Sequence, residues 1–263
     1  MRDQTRDLAE LKQKKLWILD MDGTVYLGDR LFPETLPFLE RIRESGARYL
    51  FFTNNASRSK DTYVTRLTNM GIPVTEEDIL TSGETTFQFL KKYRPGKPVY
   101  LVGTPDLEAA FKREGIELSD QADIVVVSFD TTLTYEKLNI ACRLIREGAE
   151  FLSTHPDFNC PVEGGFIPDS GSICALVTAS TGKTPRYFGK PYEEVVRMIE
   201  DHTGLNRSEM VVVGDRLYTD IAVGARNGMD SVLVLSGETK KEDLEESSVQ
   251  PAFLVDNVGC LLR

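Results

Sequence analysis

Two carboxylates and a glycine close the run Leu16-Trp17-Ile18-Leu19-Asp20-Met21-Asp22-Gly23-Thr24. The four apolar residues ahead of them read as a buried parallel strand. Open α/β sheets place their ligands at the carboxyl ends of such strands. Two acids there are costly to bury unless a cation neutralises them, and carboxylate oxygens suit Mg²⁺. One acid could then act as a nucleophile and the other as a proton donor. If the chain stays extended, residues two apart point to the same side. Gly23 allows the tight turn that releases the chain from the strand.

Three further places carry chemistry of a matching kind. Thr53-Asn54-Asn55 ends a second apolar strand; a hydroxyl, an amide and exposed backbone N–H groups suit a phosphate oxygen. The same residues equally suit a helix N-cap and an Asx-turn. Lys190 precedes Pro191, which favours an extended residue before it, so Lys190 should stand outside the helix that follows. Gly214-Asp215 again ends a strand in an acid, and Asp220 follows five residues on.

The elements that must hold these groups alternate along the chain. Strands are expected at Leu16–Leu19, 48–53, 210–214 and 231–235, and helices at 36–45, 59–70 and 219–227. This is the pattern of a doubly wound, Rossmann-like parallel sheet. The middle of the chain has its own alternation. Helices are expected at 84–93, 106–114, 135–147 and 172–179, and strands at 99–102, 124–129 and 151–154. Thr81 and Glu84 are spaced as a capping box. The expected organisation is therefore a core of residues 1–82 plus 183–263, with an α/β domain of residues 83–182 inserted into it. The charged run 240–248 reads as a solvated helix face or loop.

Composition narrows the function. With 263 residues, 41% hydrophobic and 27% charged, the chain fits a soluble globular protein. A formal charge of -10 argues against nucleic acid or an anionic membrane as partner. No apolar stretch approaches a transmembrane span, and the charged residues 1–15 lack the apolar segment of a secretory signal. Cys142, Cys160, Cys174 and Cys260 form no C-x-x-C pair and suit a reducing, cytoplasmic setting. A phosphate-binding loop of the kinase type, G-x-x-x-x-G-K-[ST], is absent.

Taken in order, Asp20-Met21-Asp22-Gly23-Thr24, Thr53-Asn54-Asn55, Lys190 and Gly214-Asp215…Asp220 resemble the four motifs of the haloacid dehalogenase (HAD) superfamily, across nearly the whole chain. The long insert resembles the large α/β cap of the NagD-type or nitrophenylphosphatase-type branch. Leu27-Gly28, Ala56-Ser57, His155-Pro156-Asp157, Gly164, Pro168 and Gly171-Ser172 strengthen that placement. The chain departs from the branch at two cap positions. His155 stands where asparagine is common, and Asp169 where glycine is common.

The resemblance implies roles. Asp20 would be the nucleophile that takes the phosphoryl group. Asp22 would protonate the leaving alcohol and then deprotonate water. Asp20, the backbone carbonyl of Asp22, and Asp215 would hold Mg²⁺, with Mn²⁺ also accepted, and Asp220 would support the site. Thr53, Asn54, Asn55 and Lys190 would bind phosphate. Substrate choice would fall to the cap, with His155 and Asp157 as suspects. The family's dehalogenases lack the second acid, and its P-type ATPases have threonine there and membrane helices. The expected activity is thus a Mg²⁺-dependent phosphatase on a small phosphorylated metabolite, such as a sugar phosphate or nucleoside monophosphate. A phosphomutase and a non-catalytic phosphate-binding protein are the alternatives. Caps of this branch also imply a homodimer through the cap.

Overall fold

A computed structural model describes residues 6–162 and 165–262. Residues 1–5 of the charged N-terminal stretch, and Gly164, lie outside the described residues.

The chain divides into two compact units. The first comprises the residues up to Phe52, Val64–Leu80 and the chain from Lys190 onward; the second comprises Thr53–Tyr63 and Thr81–Gly189. The second unit thus includes residues 53–63 and 183–189, which the sequence pattern alone gave to the core.

The first unit is built on a six-stranded sheet in the order Phe253–Val255, Asp230–Val234, Met210–Gly214, Leu16–Leu19, Arg48–Thr53, Ile79–Thr81. Leu16–Leu19 pairs in parallel with Met210–Gly214 on one side and with Arg48–Thr53 on the other. Chain progression reverses at this strand: the next strands go to one side and the last three to the other. Asp20 therefore leaves the sheet at a topological switch point, where such sheets bind ligands. The register aligns Leu19 with Val213 and with Phe51, and the two neighbours run on to Gly214 and Thr53.

Strand and helix side chains are held by a common core. Leu16, Ile18, Leu50, Phe52, Val212 and the helix Glu193–Thr203 form one buried cluster. That helix buries Val195, Val196, Met198 and Ile199, the spacing of one helical face. Each such side chain contributes about 1.5–3 kcal/mol on burial. Gly204, in the left-handed region, ends it.

The second unit has its own parallel sheet, ordered Arg186–Tyr187, Glu150–Ser153, Ile124–Val127, Val99–Val102. The capping box at its first helix, Ser82–Tyr93, is formed on both sides: Thr81 N donates to Glu84, and Glu84 N donates to the Thr81 hydroxyl. An antiparallel hairpin, Asn159–Val162 with Gly165–Pro168, precedes the helix Ser170–Thr181.

The run 240–248 keeps to its expectation, a largely exposed stretch with a single helical turn, Asp243–Glu246. The structure differs from the sequence pattern in two local respects. The segment expected as one helix over 219–227 opens with a π-helical turn, Leu217–Ile221, before the α-helix Ala222–Asn227. The first strand ends at Leu19, and the Met21 carbonyl accepts from Thr24 and Val25 N–H groups. The chain turns there, so the extended-chain argument for Asp20 and Asp22 does not apply.

Candidate active site

Asp20, Asp215 and Asp220 converge in the first unit, with carboxylate oxygens within 4.8 Å of one another. Asp20 follows the central strand and Asp215 the strand beside it. Asp220 is delivered by the π turn. Such turns add a residue to the helix and are frequent at functional sites. Here the Asp220 Oδ2 accepts from Arg216 N at 3.1 Å, which fixes the carboxylate and leaves Oδ1 for Lys190.

Lys190 lies 3% exposed between two acids. Its Nζ is 2.6 Å from Asp20 Oδ1, 2.6 Å from Asp220 Oδ1, and donates to the Phe52 carbonyl at 3.1 Å. Burial pulls its ammonium down, but the Asp20 and Asp220 charges outweigh it, so Lys190 stays a cation. As expected from Pro191, it stands outside the helix Glu193–Thr203.

Asp215 is 2% exposed. Oδ2 accepts from Glu238 N at 2.6 Å; Oδ1 has no hydrogen-bond partner among the described residues. Burial, then the Asp20 and Asp220 charges, push its carboxyl well above the ordinary range. Asp220 is raised as well, by burial against the pull of Lys190. Two glycines make room: a Cβ on Gly23 or on Gly237 would overlap the Asp215 carboxylate. Gly23 also has φ +88°, open to glycine at little cost.

These groups fit a divalent cation. Three clustered carboxylates share one lysine, and a buried oxygen is left orphaned. Hard oxygen donors with excess negative charge are what Mg²⁺ or Mn²⁺ takes. Arg216 pairs with Glu238 at 3.0 Å, and its charge offsets only part of the push that burial gives the Asp215 and Asp220 carboxyls.

Asp22 opens to solvent and accepts from Gly28 N at 3.4 Å. Its partly desolvated setting raises the carboxyl; the Gly28 hydrogen bond opposes this, and the Asp20 charge adds to it. A carboxyl raised by its setting, close to a second carboxylate paired with a lysine, is an arrangement that can separate proton donor from nucleophile.

The other expected site residues belong to the second unit. Thr53 Oγ1 accepts from Asn55 N at 3.1 Å, and Asn55 Oδ1 accepts from Ser57 N at 3.0 Å. Both side chains build turns, as one reading of the sequence allowed. Asn54 is 5% exposed and donates from Nδ2 to both oxygens of Asp157, at 3.2 and 3.3 Å.

His155, the cap histidine suspected of a part in substrate choice, is enclosed within the second unit. It is fully buried. Nε2 meets Asp169 Oδ1 at 2.7 Å, and Nδ1 meets the Thr154 hydroxyl at 2.8 Å and the Ser82 hydroxyl at 3.4 Å. His155, Asp157 and Asp169 also cluster closely enough to hold a metal. Their polar atoms are engaged within the unit instead, Asp169 Oδ1 also by Ser170 N.

Several contributors were not found from sequence. Ser236 donates to the Gly23 carbonyl at 2.7 Å, Gly237 clears Asp215, and Glu238 N caps it. One signal was present: Ser236-Gly237 follows the strand Asp230–Val234, next in the sheet to the strand that delivers Asp215.

Comparison with known proteins gives the family. Residues 17–117 match the family model described as haloacid dehalogenase-like hydrolase, and residues 187–261 match a HAD-hydrolase-like model. The chain is 35% identical to the 5'-nucleotidase YutF of Bacillus subtilis (strain 168), covering 94% of this chain and 97% of that protein. It is 34% identical to an acid sugar phosphatase of Staphylococcus aureus (strain MRSA252), covering 92% and 95%. The crystal structure of a 4-nitrophenylphosphatase from Thermotoga maritima superposes with a TM-score of 0.93 at 45% identity, covering 96% and 98%. The chain belongs to the haloacid dehalogenase-like hydrolases. Within them it falls in the branch that holds NagD and the 4-nitrophenylphosphatases.

Proposed function

We propose that this chain hydrolyses small phosphomonoesters through an aspartyl-phosphate on Asp20, assisted by Mg²⁺. It is a phosphoric monoester hydrolase of the HAD type. The observation that carries the finer reading is the Lys190 bridge between Asp20 and Asp220, set beside the orphaned Asp215 oxygen.

Lys190 engages one oxygen of Asp20 and leaves the other to attack phosphorus. Asp22, with its raised carboxyl, gives a proton to the departing alcohol oxygen and later takes one from the attacking water. Asp220 holds Lys190 in place. Asp20, the Asp22 carbonyl and Asp215 would hold the metal, which supplies charge neutralisation at the phosphate oxygens. From the family pattern we assign phosphate-oxygen contacts to Thr53, Asn54 and Asn55. Asp157 sets the orientation of the Asn54 amide through their hydrogen bonds. We assign substrate selection to the second unit. Sugar phosphates and nucleoside monophosphates are the proposed substrate class, supported by the activities named for the relatives.

No helix among the described residues is long and apolar enough to cross a membrane. Cys142, Cys174 and Cys260 are free thiols, which supports a reducing, cytoplasmic setting.

Phosphate release from a panel of sugar phosphates, nucleoside monophosphates and 4-nitrophenyl phosphate, in Mg²⁺ and in EDTA, tests the proposal. Release only with metal is expected. Equal release in EDTA would contradict the metal assignment.

A further inference from the structure

The first unit has a second pocket, toward the other end of the strand that delivers Asp20. The short helix Leu8–Gln13, the strand Leu16–Leu19, the helix Thr35–Glu44 and the closing turn Val258–Leu262 surround it. Its volume is about 390 Å³, within the range of pockets that take a small ligand. Leu8, Leu11, Trp17, Phe38, Ile42 and Leu261 line it. Trp17 and Phe38 pack edge to face at 5.5 Å between ring centres, which gives the wall a rigid aromatic part.

Lys12 and Arg41 also line this pocket. Neither makes an ion pair or side-chain hydrogen bond among the described residues. Nearby Lys14 and Lys15 are both paired, with Asp230 and Glu209. Glu44 is the one acid in the lining, so the pocket carries net positive charge on a protein of charge -10.

We propose that this pocket binds a small amphipathic monoanion: a carboxylate carried on an apolar chain or ring. The apolar body fills the space against Trp17, Phe38 and Ile42, and the carboxylate stays at the mouth with Lys12 and Arg41. An apolar body gives affinity by burial, and the two cations select the sign of the head group.

Trp17 is the single tryptophan of the chain, so its fluorescence reports the pocket directly. The full chain is titrated with hexanoate, octanoate and decanoate, with decyltrimethylammonium as the cationic counterpart, and the titrations are repeated on the double variant Lys12→Gln/Arg41→Gln. The expected result is a saturable change in emission. Affinity should rise about fourfold per added methylene, and the double variant should bind decanoate about tenfold more weakly. Both substituted side chains are exposed, so an unchanged thermal melt is expected for the variant. No saturable change, equal binding of the cationic amphiphile, or undiminished binding by a folded double variant would each overturn the proposal.

Discussion

His155 and Asp169, the two positions at which the chain leaves its branch's usual cap pattern, bind each other: Nε2 and Oδ1 are 2.7 Å apart, with His155 fully buried. The two departures are thus one structural change, a buried ion pair inside the second unit. Removing one partner strands the other in low dielectric. His155→Asn is expected to lower unfolding stability by about 3 kcal/mol. Adding Asp169→Gly should recover a large part of that loss. Urea unfolding of the two single variants and the double variant checks this; strictly additive losses would show that the pair is not coupled.

The same pair sets a pH dependence. Burial pulls the His155 imidazole down, but the Asp169 charge and hydrogen bond, with the Asp157 charge, raise it above its ordinary value. A histidine raised in the folded state adds stability that is full below its unfolded pKa of about 6.5 and is lost as pH rises through the folded value. The stability margin of wild type over His155→Asn should therefore be largest near pH 6 and shrink toward alkaline pH. A margin that grows with pH would contradict the assigned charge state.

On the proposed metal assignment, Asp215 is held for a cation at a cost to the metal-free fold. Its Oδ1 is buried without a partner, beside two other carboxylates. Asp215→Asn removes one negative charge from that cluster. In EDTA the variant is expected to be at least as stable as wild type. In Mg²⁺ only the wild type should gain melting temperature, because a ligand stabilises a protein only if it binds the folded state. An equal Mg²⁺ gain in the variant would remove Asp215 from the metal site.

Much of this was legible in the sequence, and the missing parts share a cause. Apolar runs ending in acids marked Asp20 and Asp215, because a buried strand and its polar end leave a local signature. Capping chemistry marked Thr81 and Glu84 correctly. What failed was placement that depends on residues distant in sequence. The burial of His155 had no local sign, because its partner Asp169 lies 14 residues away. The π turn at Leu217–Ile221 was invisible, since its reason is the hold of Asp220 on Lys190, 30 positions back, and on Arg216 N. Gly237 carried no sign that it must clear Asp215. Fold class and chemistry lie in local pattern; the supporting contacts lie in tertiary packing.

Asp22 is expected to act twice, and the two steps can be separated. Asp22→Asn should lower steady turnover about 10²–10⁴-fold on an alkyl phosphate. With 4-nitrophenyl phosphate the leaving group needs little protonation, so formation of the phosphoenzyme should survive while its hydrolysis stays slow. A rapid-mixing burst of nitrophenolate followed by a slow phase would show this. Turnover near the wild-type rate would remove Asp22 from the proton-transfer role.

The central claim is that Asp20 carries the phosphoryl group. Acid quenching of wild type during turnover of 4-nitrophenyl phosphate, followed by peptide mass analysis, measures it directly. One phosphoryl group on the peptide that contains Asp20, absent from Asp20→Asn, is the expected result. Sustained turnover by Asp20→Asn, or wild-type turnover under conditions where hydrolysis of a phosphoenzyme is slow yet Asp20 stays unmodified, would contradict the account.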